Sequence, residues 1–292
     1  MSETTSLAFF PVHRLDARRL RRNWQRAALS MAAEDGLLRR LDQALLERLE
    51  DIRLTPQRVL ELGGRTGLLA AALQKKWPKA EIVSLSVGGL RGGRSEWRLP
   101  WQRYPKVLEG ELLHLPFARQ QFDLVISSMV LHWSNDLPAV MREIRRVLAP
   151  DRLLLFTVAG SASLQELNHC LAQRDAERQE AVRPRGPLLP SLPGLGDLLL
   201  ASGFVLPVVD REQAIVPVTD VQSLWRQLQA MGSGNPLRQQ TGGLRGRGYR
   251  ERLQTLYQQQ FCLPDGNLAC TVEILFGHAW KNAVTKTQSL NG

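Results

Sequence analysis

The apolar run Arg58-Val59-Leu60-Glu61-Leu62 breaks into Gly63-Gly64-Arg65-Thr66-Gly67 and passes at once into the helical stretch Leu68 to Lys76. That join narrows the folds open to the chain. The run is short and reads as a buried strand, and the glycines permit a tight turn through which backbone amides can approach a ligand. The start of the following helix favours negative charge. A strand, a glycine turn and a helix in that order are the opening unit of a parallel α/β sheet, whose ligands sit beyond the carboxyl ends of the strands.

The downstream pattern continues the alternation. Ile82 to Val87 reads as a second strand and Gly88 to Arg98 as irregular. Phe122 to Ser127 reads as a third strand and Leu137 to Leu148 as a helix. Leu153 to Val158 is a fourth strand, entered from the turn Ala149-Pro150-Asp151. Ahead of the first strand, Leu15 to Leu49 carries two amphipathic helical patterns, one rich in arginine and one with Leu37, Leu38, Leu41, Leu45 and Leu49 on one face. Beyond Ala159 the pattern predicts a helix over Leu164 to Glu180, a proline- and glycine-rich loop over Arg183 to Gly196, and a short helix closing at Leu198 to Gly203. A strand follows at Phe204 to Val209, a helix at Val221 to Met231, a loop at Gly232 to Gly248, a helix at Tyr249 to Phe261 and a strand at Thr271 to Gly277. The expectation is an α/β protein: a doubly wound, Rossmann-like sheet over 55–160, a helical extension over 1–54, and a completion of the sheet with a helical cap over 161–292.

At 292 residues and 43% hydrophobic content the chain can bury one large core. No apolar run approaches the roughly 20 residues that span a bilayer, and no secretory pattern opens the chain. Cys170, Cys262 and Cys270 lack paired spacing, which points to a reducing, cytoplasmic setting and away from disulfides. No spacing suggests a metal site. The net charge of +10 suits either an acidic partner or merely solvated faces. Its clusters at Arg18 to Arg26 and Arg245 to Arg252 hold few aromatics, so a nucleic-acid platform is disfavoured.

Several runs resemble one superfamily. Val59-Leu60-Glu61-Leu62-Gly63-Gly64-Arg65-Thr66-Gly67 is similar to motif I of class I methyltransferases that use S-adenosylmethionine (SAM). Gly110-Glu111-Leu112-Leu113-His114-Leu115-Pro116-Phe117 resembles their adenine-contacting segment, Phe122 to Ser128 their fourth-strand motif, and Arg145 to Asp151 their R-R-V-L-K-P-G-G turn. Two branches are closer still: the malonyl-acyl-carrier-protein O-methyltransferases of biotin synthesis, and a complex I assembly-factor family whose founding member is an arginine hydroxylase. Leu131-His132-Trp133-Ser134-Asn135-Asp136-Leu137-Pro138 resembles a stretch of the second branch, and Phe276-Gly277-His278-Ala279-Trp280 one of the first.

The resemblance implies a class I methyltransferase in which Glu61, Gly63, Gly64, Gly67, Ser86, Glu111, Leu112 and Ser128 hold SAM, while His132, Trp133 and Met31 line the substrate side. It implies methylation of the free carboxyl of malonyl-acyl-carrier protein, an acidic partner. An assembly-factor-like protein and a non-catalytic binding module of the same fold stay open beside it. The departures from the family pattern are Arg65 for the middle glycine of motif I, Ser86 for the acid that meets the ribose, and Met31 and Val272 where tyrosines are usual.

Overall fold

The computed structural model describes residues 15–31, 36–64, 66–88, 103–179, 185–237 and 247–283. Two helices, α1 (Ala17–Met31) and α2 (Gly36–Arg48), precede β1 (Arg58–Gly63), α3 (Leu68–Lys76), β2 (Glu81–Ser86), β3 (Lys106–Glu109) and β4 (Phe122–Ser128). A single 3-10 turn at Leu131–Trp133 leads to α4 (Leu137–Val147) and β5 (Leu148–Ala159). Then follow α5 (Gln165–Glu177), α6 (Leu192–Ala201), β6 (Phe204–Val218), α7 (Val221–Ala230), α8 (Arg247–Phe261) and β7 (Leu268–Lys281).

The strands form one sheet in the order β3-β2-β1-β4-β5-β7-β6. Strands β1 to β5 are parallel, and β7 runs antiparallel between β5 and β6. Chain order reverses between β1 and β4, so a cleft opens at their carboxyl ends. The central strands are buried on both faces, as a sheet covered by helices requires. One core, containing Leu60, Leu62, Val125, Ile144 and Phe156, lies under α4 and α6. The other, with Leu41, Leu45, Val59, Leu73 and Ile126, lies under α2 and α3.

Charged side chains tie together the amino-terminal end of the sheet. Asp123 accepts from the amides of Gln57 and Arg58 at 2.8 and 3.0 Å and pairs with Arg152 at 3.0 Å, binding the starts of β1, β4 and β5 together. Lys281 donates to the Leu148 carbonyl at 2.7 Å, and burial lowers its pKa.

Past the end of β5, the β6–β7 ladder continues alone from Gln213↔Glu273 to Val218↔Leu268. Helices α5, α7 and α8 pack on that extension around Leu167, Cys170, Leu224, Leu253, Tyr257 and Cys270. Glu166 locks α5 to β7 through the amide and hydroxyl of Thr271. This is the helical cap anticipated for the carboxyl-terminal third.

Several elements differ from the sequence reading. The edge strand β3 was not anticipated: all four of its residues are exposed, so no apolar alternation marks it. β5 starts at Leu148 rather than Leu153, because Ala149-Pro150-Asp151 forms a bulge, with Asp151 at φ 53°, and not a turn outside the sheet. α6 begins at Leu192, inside the expected loop. Ser191 caps it by accepting from the Gly194 amide, and Pro193 is tolerated in a first turn whose amides need no partner. β6 runs to Val218 and not Val209, since an exposed edge strand shows no inward pattern. Most of the segments read as loops at Gly88 to Arg98 and Gly232 to Gly248 lie outside the described residues.

Candidate cofactor site

The loop after β1 lies at the reversal of strand order and folds as its glycines allow. Gly63, Gly64 and Gly67 have φ of 127°, 50° and 74°, a region that side chains disfavour. At Gly64 the space is also closed: a Cβ would sit 2.8 Å from Ser84 Oγ and 3.3 Å from Ser86 Cα. Gly67 stands immediately before α3, and the Thr66 hydroxyl accepts from the Leu68 amide at 3.3 Å. Arg65, in the middle of the loop, lies outside the described residues.

Glu61 is the chemical centre of this loop. It is 4% exposed, with the Gly64 amide donating to Oε1 at 2.9 Å and the Ser84 hydroxyl donating to Oε2. Burial pushes its carboxyl up to about 7, opposed by those two hydrogen bonds and reinforced by the charge of Asp42. An acid poised there can hold a cation once ionised.

A narrow cavity joins Glu61, Gly63, Gly64, Thr66 and Gly67 to Ser128 at the end of β4 and to Leu38, Asp42 and Leu69 from the covering helices. The Ser128 hydroxyl is buried and has no hydrogen-bond partner among the described residues. The glycine backbone, an orphaned hydroxyl and buried carboxylates are polar groups of the kind that the amino-acid end of a nucleoside cofactor such as SAM would need, with its ammonium, carboxylate and cationic sulfur. Ser86 is fully buried at the end of β2, level with Gly63, and its carbonyl accepts from the Gly110 amide at 3.2 Å.

Glu111 and Leu112 lie further along the same carboxyl-end rim, outside the lining of this cavity. Glu111 is exposed and Leu112 is buried in the core with Leu85 and Trp24. Their segment is held from α4: Arg146 donates to the carbonyls of Leu115 and Phe117 at 2.9 and 2.7 Å, and Glu143 accepts from the Leu115 amide at 3.0 Å. The two residues are thereby fixed beside the end of β3.

His132 and Trp133 are buried, at 5% and 8% exposure, in the turn after β4. The Trp133 ring meets Trp24 of α1 edge-on at 6.4 Å between centroids. Asn135 then bonds the backbone of Leu15 twice, accepting from its amide at 2.6 Å and donating to its carbonyl at 3.2 Å, while Asp136 caps α4 through the Ala139 amide. The run from Leu131 to Pro138 thus seats α1 against the β4 end of the cleft. Asn23 donates to the Gly234 carbonyl, fastening the same helix to the segment after α7. Met31 closes α1, but its side chain lies outside the described residues.

Asp42 was missed in the sequence reading. It is 8% exposed, on the α2 face that also buries Leu38, Leu41 and Leu45. A carboxylate within that leucine stripe was the available signal, because an acid on a buried helix face needs a compensating partner. Among the described residues no group of His, Cys, Asp and Glu could hold a metal ion, and no helix is long and apolar enough to cross a membrane.

A family profile described as a methyltransferase domain matches residues 33–206. The malonyl-acyl-carrier-protein O-methyltransferase of Halorhodospira halophila is 32% identical over 266 residues, covering 91% of this chain and 88% of the relative. The enzyme of that name from a Methylovorus species is 34% identical over 273 residues, covering 91% and 90%. Among solved structures, the YcgJ protein of Bacillus subtilis superposes with a TM-score of 0.53 at 16% identity, covering 83% of this chain and 99% of that one, a likeness of fold.

Proposed function

Because the chain belongs to the SAM-dependent methyltransferase family, in the company of the malonyl-acyl-carrier-protein O-methyltransferases, we propose that it esterifies the free carboxyl of a malonyl group borne by acyl carrier protein. The observation that carries this reading is the Glu61 to Gly67 loop, whose left-handed glycines wrap a buried carboxylate at the point where the strand order reverses.

SAM, when bound, supplies an electrophilic methyl group whose sulfur departs with the bonding electron pair. The residues of this chain hold and orient it. Glu61, the Gly63-Gly64 backbone, Gly67 and Ser128 take the methionine end, while Ser86, Glu111 and Leu112 take the nucleoside. Ser86 offers one hydroxyl where the family places a carboxylate, giving up a charge-assisted hydrogen bond of about 1.5–3 kcal/mol. A malonyl carboxylate is ionised at neutral pH and needs alignment rather than a general base. His132 and Trp133 accordingly form the wall of the acceptor side rather than a proton relay.

The acidic carrier meets the exposed arginines Arg18, Arg22 and Arg26 of α1, the helix that flanks the cleft. A reducing, cytoplasmic setting for the reaction is in keeping with the three free thiols. Transfer of label from methyl-labelled SAM to malonyl-acyl-carrier protein tests the reading: a methyl ester on the carrier supports it, and transfer to no carboxylated carrier overturns it.

A further inference from the structure

The chain leaves β4 through a strained corner. Met129 follows Ser128 with φ 54°, a left-handed backbone that a long side chain adopts only at a cost. Thr157 of β5 holds it there: the Met129 amide donates to the Thr157 carbonyl at 3.0 Å and to the Thr157 hydroxyl at 3.2 Å. The first bond closes the parallel ladder of β4 and β5, and the second comes in addition from a side chain. Thr157 itself is fully buried.

Two sides of the cleft meet at this corner. Ser128 lines the cavity beside the glycine loop, and its buried hydroxyl has no hydrogen-bond partner among the described residues. A Cβ on Gly63 would stand 3.4 Å from the Val130 side chain and 3.7 Å from the Ser128 carbonyl, so the corner lies directly against that loop. On its other side, Met129 packs against Ala27 of α1 and Leu38 of α2. No other described non-glycine residue in left-handed backbone is the chain neighbour of a residue lining this cavity.

We propose that Thr157 is a positioning residue for methyl transfer: its hydroxyl holds the Ser128–Met129 corner in the strained form, which sets the spacing between the cofactor side of the cleft and the helices that cover it. The inference rests on the proposed methyl transfer, and none of the motif resemblances gives Thr157 a part. Because Thr157 is fully buried, it acts through Met129. A small misplacement of reacting groups lowers the rate of transfer more than it lowers binding.

Steady-state methylation of malonyl-acyl-carrier protein by the wild-type chain, Thr157→Val and Thr157→Ser tests this. Valine keeps the shape and removes the hydroxyl, whereas serine keeps the hydroxyl and removes a methyl group. Thr157→Val is expected to lower kcat about tenfold, with KM for SAM and for the carrier within roughly threefold of wild type. It should also speed hydrogen exchange at the Met129 amide. Thr157→Ser is expected to keep kcat within roughly threefold of wild type and to leave that amide protected. In a Met129→Gly background, where glycine takes the left-handed backbone freely, adding Thr157→Val should change kcat by less than about twofold.

Wild-type kcat in Thr157→Val would overturn the proposal. So would a loss in Thr157→Ser as large as in Thr157→Val, which marks a residue that only fills space. An equal loss in the glycine background would overturn it as well, since the hydroxyl would then act other than through Met129. If Thr157→Val does not fold, Thr157→Ala is measured to the same criteria. A wild type that methylates no carrier would instead overturn the proposed function, and this inference with it.

Discussion

Replacing Glu61 by Gln removes one proton-binding site while leaving its shape and hydrogen bonds in place. The Gln oxygen can accept from the Gly64 amide and its nitrogen can donate to the Ser84 hydroxyl, which rotates to accept. Burial raises Glu61 from the ordinary 4.5 to about 7, so between those values the native state holds a proton that the unfolded chain has released. Stability from this group is therefore complete below pH 4.5, declines as pH rises, and levels off above pH 7. A shift of that size corresponds to about 3 kcal/mol. The gap between variant and wild type should widen in favour of Glu61→Gln by about 2.5 kcal/mol from pH 5 to pH 8. Urea denaturation of both proteins without cofactor at the two pH values measures it. Acids held low by ion pairs, such as Glu81 beside Lys106 and Glu143 beside Arg146, are common to both proteins and cancel in the difference. A gap that stays constant from pH 5 to pH 8 would refute the assignment of a desolvated carboxyl at Glu61.

Four further outcomes follow from the same geometry. Gly64→Ala combines a positive φ with a Cβ 2.8 Å from Ser84 Oγ; it should cost about 1–2 kcal/mol of stability and abolish SAM binding by calorimetry. Trp24→Ala empties a site 1% exposed against Trp133 and should lower unfolding free energy by about 3–5 kcal/mol in chemical denaturation. Asn135→Ala removes both bonds to the Leu15 backbone and should speed hydrogen exchange in α1 while leaving that in β4 and β5 unchanged. Arg22→Glu with Arg26→Glu, on the exposed face of α1, should raise KM for malonyl-carrier protein and blunt its salt dependence, with SAM affinity unmoved.

Much of the sheet was legible because its central strands are short apolar runs bounded by glycine or by helical periodicity. The helix Leu68–Lys76 was read with the bounds it has, since Gly67 starts it and the apolar spacing carries it. The two edge strands were hidden by one cause. β3 and β6 lie at the two edges of the sheet, where exposure removes the hydrophobic alternation that reveals a strand. The helix at Leu192 begins with Pro193 and Gly194, residues that read as a loop unless the Ser191 cap is recognised. At the site, Glu61 and the glycines could be found from the local motif because their chemistry is contiguous in the chain. Asp42 could not, since only the packing of α2 over the loop brings it within reach of Glu61.

On the proposed reading, this glycine loop serves methyl transfer to a malonyl carboxylate. Incubating the protein with methyl-labelled SAM and either malonyl- or acetyl-acyl-carrier protein, followed by mass analysis of the intact carrier, tests it most directly. The expected result is a gain of one methyl on the malonyl carrier alone, removed by mild ester hydrolysis. A chain that binds SAM yet leaves the malonyl carrier unmodified would contradict it.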